Sequence, residues 1–267
     1  MKYIHSSNHR ASFGKYVRKH YKTFINNLNN GSVKPLDTEV ISCFVVGCGH
    51  SGTTLAAAKL GNHDDAFLIG RETHNYAPAK GLYTSWCVTE EWVSIARSLD
   101  KKVFIEKTPK HIHVIRRIRK ILPEARFIAL TRHPLDNCFS LYKRYGDLDF
   151  AIERWNLDNA QLLKWANDRN VIIMSYEQLT TQPESSFKYL CEFLELEWQP
   201  SIIDEGITAY DRLQQKRNME VRQEQVKRRI VANSGKWKEG FSTSQVNDVL
   251  RGTRTIAASL GYHEVLD

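Results

Sequence analysis

Apolar residues along the chain fall into short bursts set between longer amphipathic stretches. Residues 40–46 form a run of β-formers long enough for one buried strand. Residues 103–105, 126–132 and 171–175 repeat the pattern and predict three more strands. A shorter run, Ala66-Phe67-Leu68-Ile69, ends in Gly70-Arg71-Glu72-Thr73 and predicts a strand end. The stretches between carry helical signals. From Thr53 an alanine-rich helix runs to Leu60 and stops at Gly61. Residues 77–100, with Trp86 and Trp92, read as helix and loop. Thr108 and Pro109 suit the cap and first position of a helix that continues past Ile121. His133-Pro134 breaks the 126–132 strand, and a helix begins at Asp136. Residues 150–169 and 183–196 place Trp155, Leu162 and Trp165, then Phe187, Leu190, Cys191 and Leu194, at helical spacing. A last helix covers 243–260. Four strands separated by helices predict an α/β fold, a single domain with a central, mostly parallel sheet flanked by helices.

Residues 1–38 stand apart as a basic, asparagine-rich lead-in to a domain at 39–267. Phe13, Val17 and Tyr21 recur four apart there, as on one face of a helix. No apolar segment precedes the domain as a secretory signal would, and no run reaches the roughly 18 apolar residues of a membrane span. The five cysteines are scattered and form no C-x-x-C pair, so neither a disulfide framework nor a zinc site is indicated. Free, buried thiols fit a cytoplasmic location. At 42% hydrophobic and 25% charged the chain is globular, and a net charge of +8 favours anionic ligands.

The chemistry concentrates after the first strand, in Gly47-Cys48-Gly49-His50-Ser51-Gly52-Thr53-Thr54. A strand, a glycine loop and a helix start make an anion site, because loop amides and the helix dipole point at one ligand. The spacing is nearly that of the nucleotide P-loop, G-x-x-x-x-G-K-[ST], and predicts a P-loop-like nucleotide-binding fold. Thr53 stands where that motif has its lysine, which argues against a nucleoside triphosphate hydrolase and leaves a phosphate-like ligand. Two further strand ends carry cations, Lys107 and Arg132, at the edge where α/β sheets bind ligands. Arg132 and Ser140, on the following helix, can clamp a second phosphate. Glu72 would place a carboxylate beside the loop, although alone it also reads as a surface ion pair with Arg71. The basic residues Arg116, Arg117, Arg119 and Lys120 read as a solvated face. The basic segment 212–229 reads equally as a solvated helix or a polyanion surface.

The Ser-Gly-Thr-Thr core resembles the 5′-phosphosulfate loop of sulfotransferases that use 3′-phosphoadenosine 5′-phosphosulfate (PAPS), and the likeness extends over residues 40–262. The resemblance implies that Gly49, His50, Ser51, Gly52, Thr53 and Thr54 hold the 5′ end of the cofactor. It implies that Arg132 and Ser140 hold its 3′-phosphate, that Tyr176 lies near the adenine and 3′-phosphate end, and that Lys236 belongs to a C-terminal cofactor loop. Within the family the chain is most similar to tyrosylprotein sulfotransferases and bacterial-type sulfotransferases. Arg71-Glu72-Thr73 resembles a segment whose glutamate is the catalytic base, and Lys107 resembles a lysine near the transferred sulfate. Departures are His50, where cytosolic members carry lysine, and the lack of Ser or Thr in 212–232, where the tyrosylprotein enzymes carry a catalytic serine.

These residues imply in-line transfer of a sulfuryl group from PAPS to an acceptor hydroxyl of a carbohydrate, another small molecule or a tyrosine. Glu72 would act as base, with Lys107 and His50 serving the leaving side and no metal required. A P-loop-like kinase or NTPase, and a polyanion-binding protein without catalysis, are the rival readings. Nucleic acid is not an expected partner.

Overall fold

A computed structural model describes residues 33–205 and 230–262. The helix expected around Phe13, Val17 and Tyr21, and the basic segment 212–229, lie outside the described residues. Among the described residues the sheet has five strands in the order β2-β3-β1-β4-β5. These are β1 (Ile41–Gly47), β2 (Ala66–Ile69), β3 (Val103–Lys107), β4 (Arg126–Thr131) and β5 (Val171–Ser175). All pairings are parallel. The count of four is thus corrected: the short run Ala66–Ile69 is itself the edge strand, paired with Val103 to Glu106. Four residues suffice there because only one side of the strand must be paired.

The helices are α1 (Thr53–Leu60), α2 (Leu82–Ser98), α3 (Ile115–Arg119), α4 (Pro134–Tyr145), α5 (Leu148–Leu163), α6 (Tyr176–Thr181), α7 (Pro183–Phe193) and α8 (Thr243–Ser259). Alternate residues of the central strands face opposite layers. Phe44, Val46, Phe104, Phe127 and Ala129 pack with α2 and α3 residues such as Trp86, Trp92 and Ile118. Cys43, Val45, Ile105, Ile128 and Leu130 pack with Ala56, Ala57 and Leu60 of α1 and Phe187 and Leu190 of α7. A third cluster joins α4, α5 and α8 through Leu135, Leu141, Trp155, Phe241 and Val249. The five cysteines are buried and unbridged. Among the described residues no helix is long and apolar enough to cross a membrane.

Other expectations change in detail. Pro109 opens a 3-10 turn, Pro109–His113, rather than a long helix, and Thr108 makes no capping bond. Its hydroxyl instead donates to the buried Glu106 carboxylate at 2.6 Å. The helix after β4 starts at Pro134 rather than Asp136, as the fixed φ of proline suits a first helical position. Arg119 is no solvated residue: it forms a two-pronged pair with Asp168 at 2.6 and 2.8 Å and lies over Phe127 and Trp165.

Helix α8 starts with a capping box, in which Ser242 accepts from the Gln245 amide and the Gln245 side chain accepts from the Ser242 amide. Ser242→Ala should cost about 1 kcal/mol in chemical denaturation. A midpoint unchanged within error would show that α8 is held by packing alone.

Candidate active site

The site is assembled at the carboxyl edge of β1, β3 and β4. At the end of β1 the chain turns sharply at Gly47, where φ is +129°. A Cβ there would sit 2.1 Å from the Leu130 carbonyl oxygen, so the turn packs against β4 as only glycine can. Ser51 is fully buried and its hydroxyl is directed at the Cys48 and Leu130 carbonyls, at 2.6 and 3.0 Å. That hydroxyl braces the loop. Gly49 is held from α4, where the Asn137 amide donates to its carbonyl at 3.1 Å. Gly52 caps α1 in the left-handed conformation with no side-chain cap bond. The first-turn amides of Thr53 and Thr54 have no intrahelical acceptor, which leaves a positive helix end for an anion.

A wall stands beside Gly52. The Tyr176 ring lies so close that a Cβ on Gly52 would come within 2.7 Å of it. The Arg132 guanidinium lies over the same ring, 4.3 Å from its centre. Arg132 is 8% exposed. It donates to the His50 carbonyl at 3.2 Å and to the Asn233 carbonyl. The Tyr176 hydroxyl accepts from the Asn233 amide at 3.2 Å. Burial pushes the Tyr176 hydroxyl above its ordinary range, against the pull of Arg132, so it stays protonated. Ser140 and His50 meet, with Oγ 2.8 Å from Nδ1. The expected pair for a second phosphate, Arg132 and Ser140, therefore converges on His50 of the loop, from one side through its carbonyl and from the other through its ring.

Across β1 lies the other half. Lys107 pairs in register with Val45, two residues short of Gly47. Its side chain is 2% exposed, and its Nζ donates to Glu72 Oε1 at 2.7 Å. Glu72 thus has Lys107 as an ion-pair partner. His74 Nε2 lies 3.9 Å from the other Glu72 oxygen, Oε2. Lys236 is exposed, in the 3-10 turn Lys236–Glu239 that follows Gly235. That turn is anchored to α4, because Asp136 accepts from the Gly235 amide at 2.8 Å.

Sequence reasoning missed Asp136, Asn137 and Glu106. Asp136 had a local signal, an acid in the first turn of a helix, but its partner lies 99 residues away. Glu106, which precedes Lys107 on β3, is fully buried and accepts from Thr73, Thr108 and His111. Burial works to raise its carboxyl, but His111 and the two hydroxyls prevail and hold it below the ordinary carboxylate range. A depressed acid stabilises the fold fully above its unfolded pKa of about 4.3 and loses that contribution as pH falls through the folded value. Glu106→Gln should therefore flatten the acid limb of a stability–pH curve below about pH 4. An acid limb as steep as that of the wild type would assign the acid sensitivity to other carboxylates.

Residues 83–200 match the model of the sulfotransferase family. The match takes in Lys107, Arg132, Ser140 and Tyr176. The glycine loop at 47–54 and Glu72 precede it. The chain is similar to an uncharacterised protein of Aquifex aeolicus (strain VF5), 25% identical over 60% of this chain and 26% of that protein. It spans about a quarter of that relative's length. Among solved structures it is similar to the sulfotransferase domain of the Synechococcus PCC 7002 olefin synthase (TM-score 0.64, 17% identity, 86% of this chain and 98% of that one). It is also similar to mouse sulfotransferase SULT7A1 complexed with PAP (TM-score 0.54, 16% identity, 91% and 92%). A sulfotransferase from Alicyclobacillus acidocaldarius resembles it as well (TM-score 0.53, 14% identity, 86% and 96%). The fold is that of the P-loop-like sulfotransferases. The family's own sequence signal runs across its middle, over residues 83–200.

Proposed function

We propose that this chain transfers a sulfuryl group from PAPS to an acceptor hydroxyl, with Glu72 as the base. The observation that carries this reading is the Lys107–Glu72 contact of 2.7 Å on the strand beside the phosphate loop. The residues present fit the cofactor. The α1 start offers uncapped amides to its 5′ end. For the 3′-phosphate, Arg132 is buried yet its Nε finds no partner among the described residues, and Ser140 lies beside it at His50. The mouse neighbour was solved with PAP. PAPS supplies, when bound, an activated sulfuryl group whose transfer leaves adenosine 3′,5′-bisphosphate.

Glu72 takes the proton of the acceptor hydroxyl. Proton uptake neutralises Glu72 and so frees the charge of Lys107 at the moment negative charge grows on the leaving phosphate. His50, held by Ser140, can donate to the same side. The acceptor class is a carbohydrate or other small molecule, or a tyrosine, and the reaction proceeds without a metal and in the cytoplasm. Titration with PAPS, ATP and an oligonucleotide, with and without magnesium, tests this reading. PAPS should bind tightest and without magnesium. Preference for ATP with magnesium would favour a kinase, and preference for the oligonucleotide a polyanion binder. Transfer of radiolabelled sulfate across a panel of sugars, phenols and tyrosine peptides would then name the acceptor.

A further inference from the structure

Glu72 sits in a weak place. Strand β2 ends at Ile69, opposite Glu106 of β3, so the segment 70–75 has no sheet partner to fix it. Its position is instead set at Thr73, the residue after Glu72. The Thr73 amide donates to Thr108 Oγ1 at 3.0 Å and, more distantly, to Glu106 Oε1 at 3.4 Å. The Thr73 hydroxyl donates to Glu106 Oε1 at 2.8 Å and accepts from the Asn75 amide at 3.1 Å. The Thr73 carbonyl accepts from Lys80 Nζ at 3.2 Å. Every polar group of Thr73 is therefore occupied.

The other side is fixed by the same carboxylate. Glu106 precedes Lys107, and Thr108 follows it and donates to Glu106 Oε1 at 2.6 Å. Glu106 Oε2 lies 2.9 Å from His111 Nδ1. A carboxylate has only acceptors, so that ring nitrogen donates. The His111 ring is in turn held edge-on by Phe44 and Tyr76.

We infer that Glu106 is a positioning residue: through Thr73 and Thr108 it clamps the segments that carry Glu72 and Lys107, and so sets their contact. This rests on the reading of Glu72 and Lys107 as the reacting pair. A carboxylate with no exposure, bonded to the neighbours of both residues, is costly to bury, and a core of this size has apolar ways to fill the space. The geometry gives it a task, since a displacement of about 1 Å in such a pair can cost on the order of 10²-fold in rate.

The test uses the full chain and radiolabelled PAPS with water as acceptor, which yields free sulfate and adenosine 3′,5′-bisphosphate. Thr73→Val and Thr108→Val should each lower kcat by about 10–100-fold with KM for PAPS and bisphosphate affinity unchanged. Thr73→Ser, which restores the hydroxyl, should recover most of the rate. On a Glu72→Gln background Thr73→Val should add little further loss, because residues that act as a unit are not additive. If instead Thr73→Val multiplies the loss of Glu72→Gln in full, Thr73 acts by general stability and the clamp is overturned. If Glu72→Gln itself keeps the wild-type rate, the base assignment fails, and the clamp is read by a second measurement. That measurement is acetylation of Lys107 by acetic anhydride, followed by mass spectrometry, and it also decides the matter if the wild type releases no sulfate. Thr73→Val should raise Lys107 labelling several-fold, and equal labelling in variant and wild type overturns the inference.

Discussion

Glu72→Gln is expected to lower sulfuryl transfer by about 10²–10⁴-fold, or roughly 3–5 kcal/mol of barrier, while affinity for adenosine 3′,5′-bisphosphate hardly changes. The substitution keeps the shape and removes the basicity. It also removes one charge from a contact in which the partner is almost wholly buried, since Lys107 is 2% exposed and Glu72 29%. Two effects then combine: no group accepts the acceptor proton, and Lys107 loses the carboxylate that held it in place. Lys107→Ala separates them. It leaves the base but removes the cation, and it should lower the rate and weaken PAPS together. If Glu72→Gln turned over at nearly the wild-type rate on the true acceptor, His50 and His74 would be the bases to examine, His74 because its ring lies 3.9 Å from Glu72 Oε2.

How much of this could be read from the chain depends on how local each signal is. The strand, glycine turn and helix start at 41–60 were legible because they are contiguous. The strand ends at Lys107 and Arg132 were legible because β-formers stop there abruptly. The partner of Glu72 was not. Arg71 is adjacent in the chain, but the sheet order places β2 beside β3 and so brings Lys107, 35 residues on, to the carboxylate. Glu106 was hidden for a different reason. A glutamate at the end of a buried strand reads as a charge facing water until Thr73, 33 residues before it, and His111 are known to fold over it. Thr108 misled for the same reason: its hydroxyl had two uses, and the buried carboxylate won over the helix cap.

The wall made by Tyr176 and Arg132 shows local and distant information meeting. Tyr176 opens α6 behind a capping box that is visible in Ser175-Tyr176-Glu177-Gln178. That its ring would fill the space beside Gly52 required β5 to lie next to β4 and β4 next to β1.

Arg132→Ala is expected to remove most of the preference for adenosine 3′,5′-bisphosphate over AMP, about 2–3 kcal/mol or roughly 30–150-fold. The comparison with AMP is what makes the test sharp. Arg132 also holds the His50 and Asn233 carbonyls and stacks on Tyr176. Its loss will therefore loosen the loop, but that loss falls on both nucleotides, which share the 5′-phosphate and the adenosine. Only the term specific to the 3′-phosphate survives in the ratio. Arg132→Lys refines it further, since lysine keeps the charge and loses the planar fork. If the charge alone matters, lysine retains the ratio. If two-pronged contact matters, lysine falls close to alanine. Isothermal titration of both nucleotides with the three proteins gives the ratios directly. A wild type that binds bisphosphate and AMP equally would sink the assignment of Arg132 and, with it, the case for PAPS as the donor.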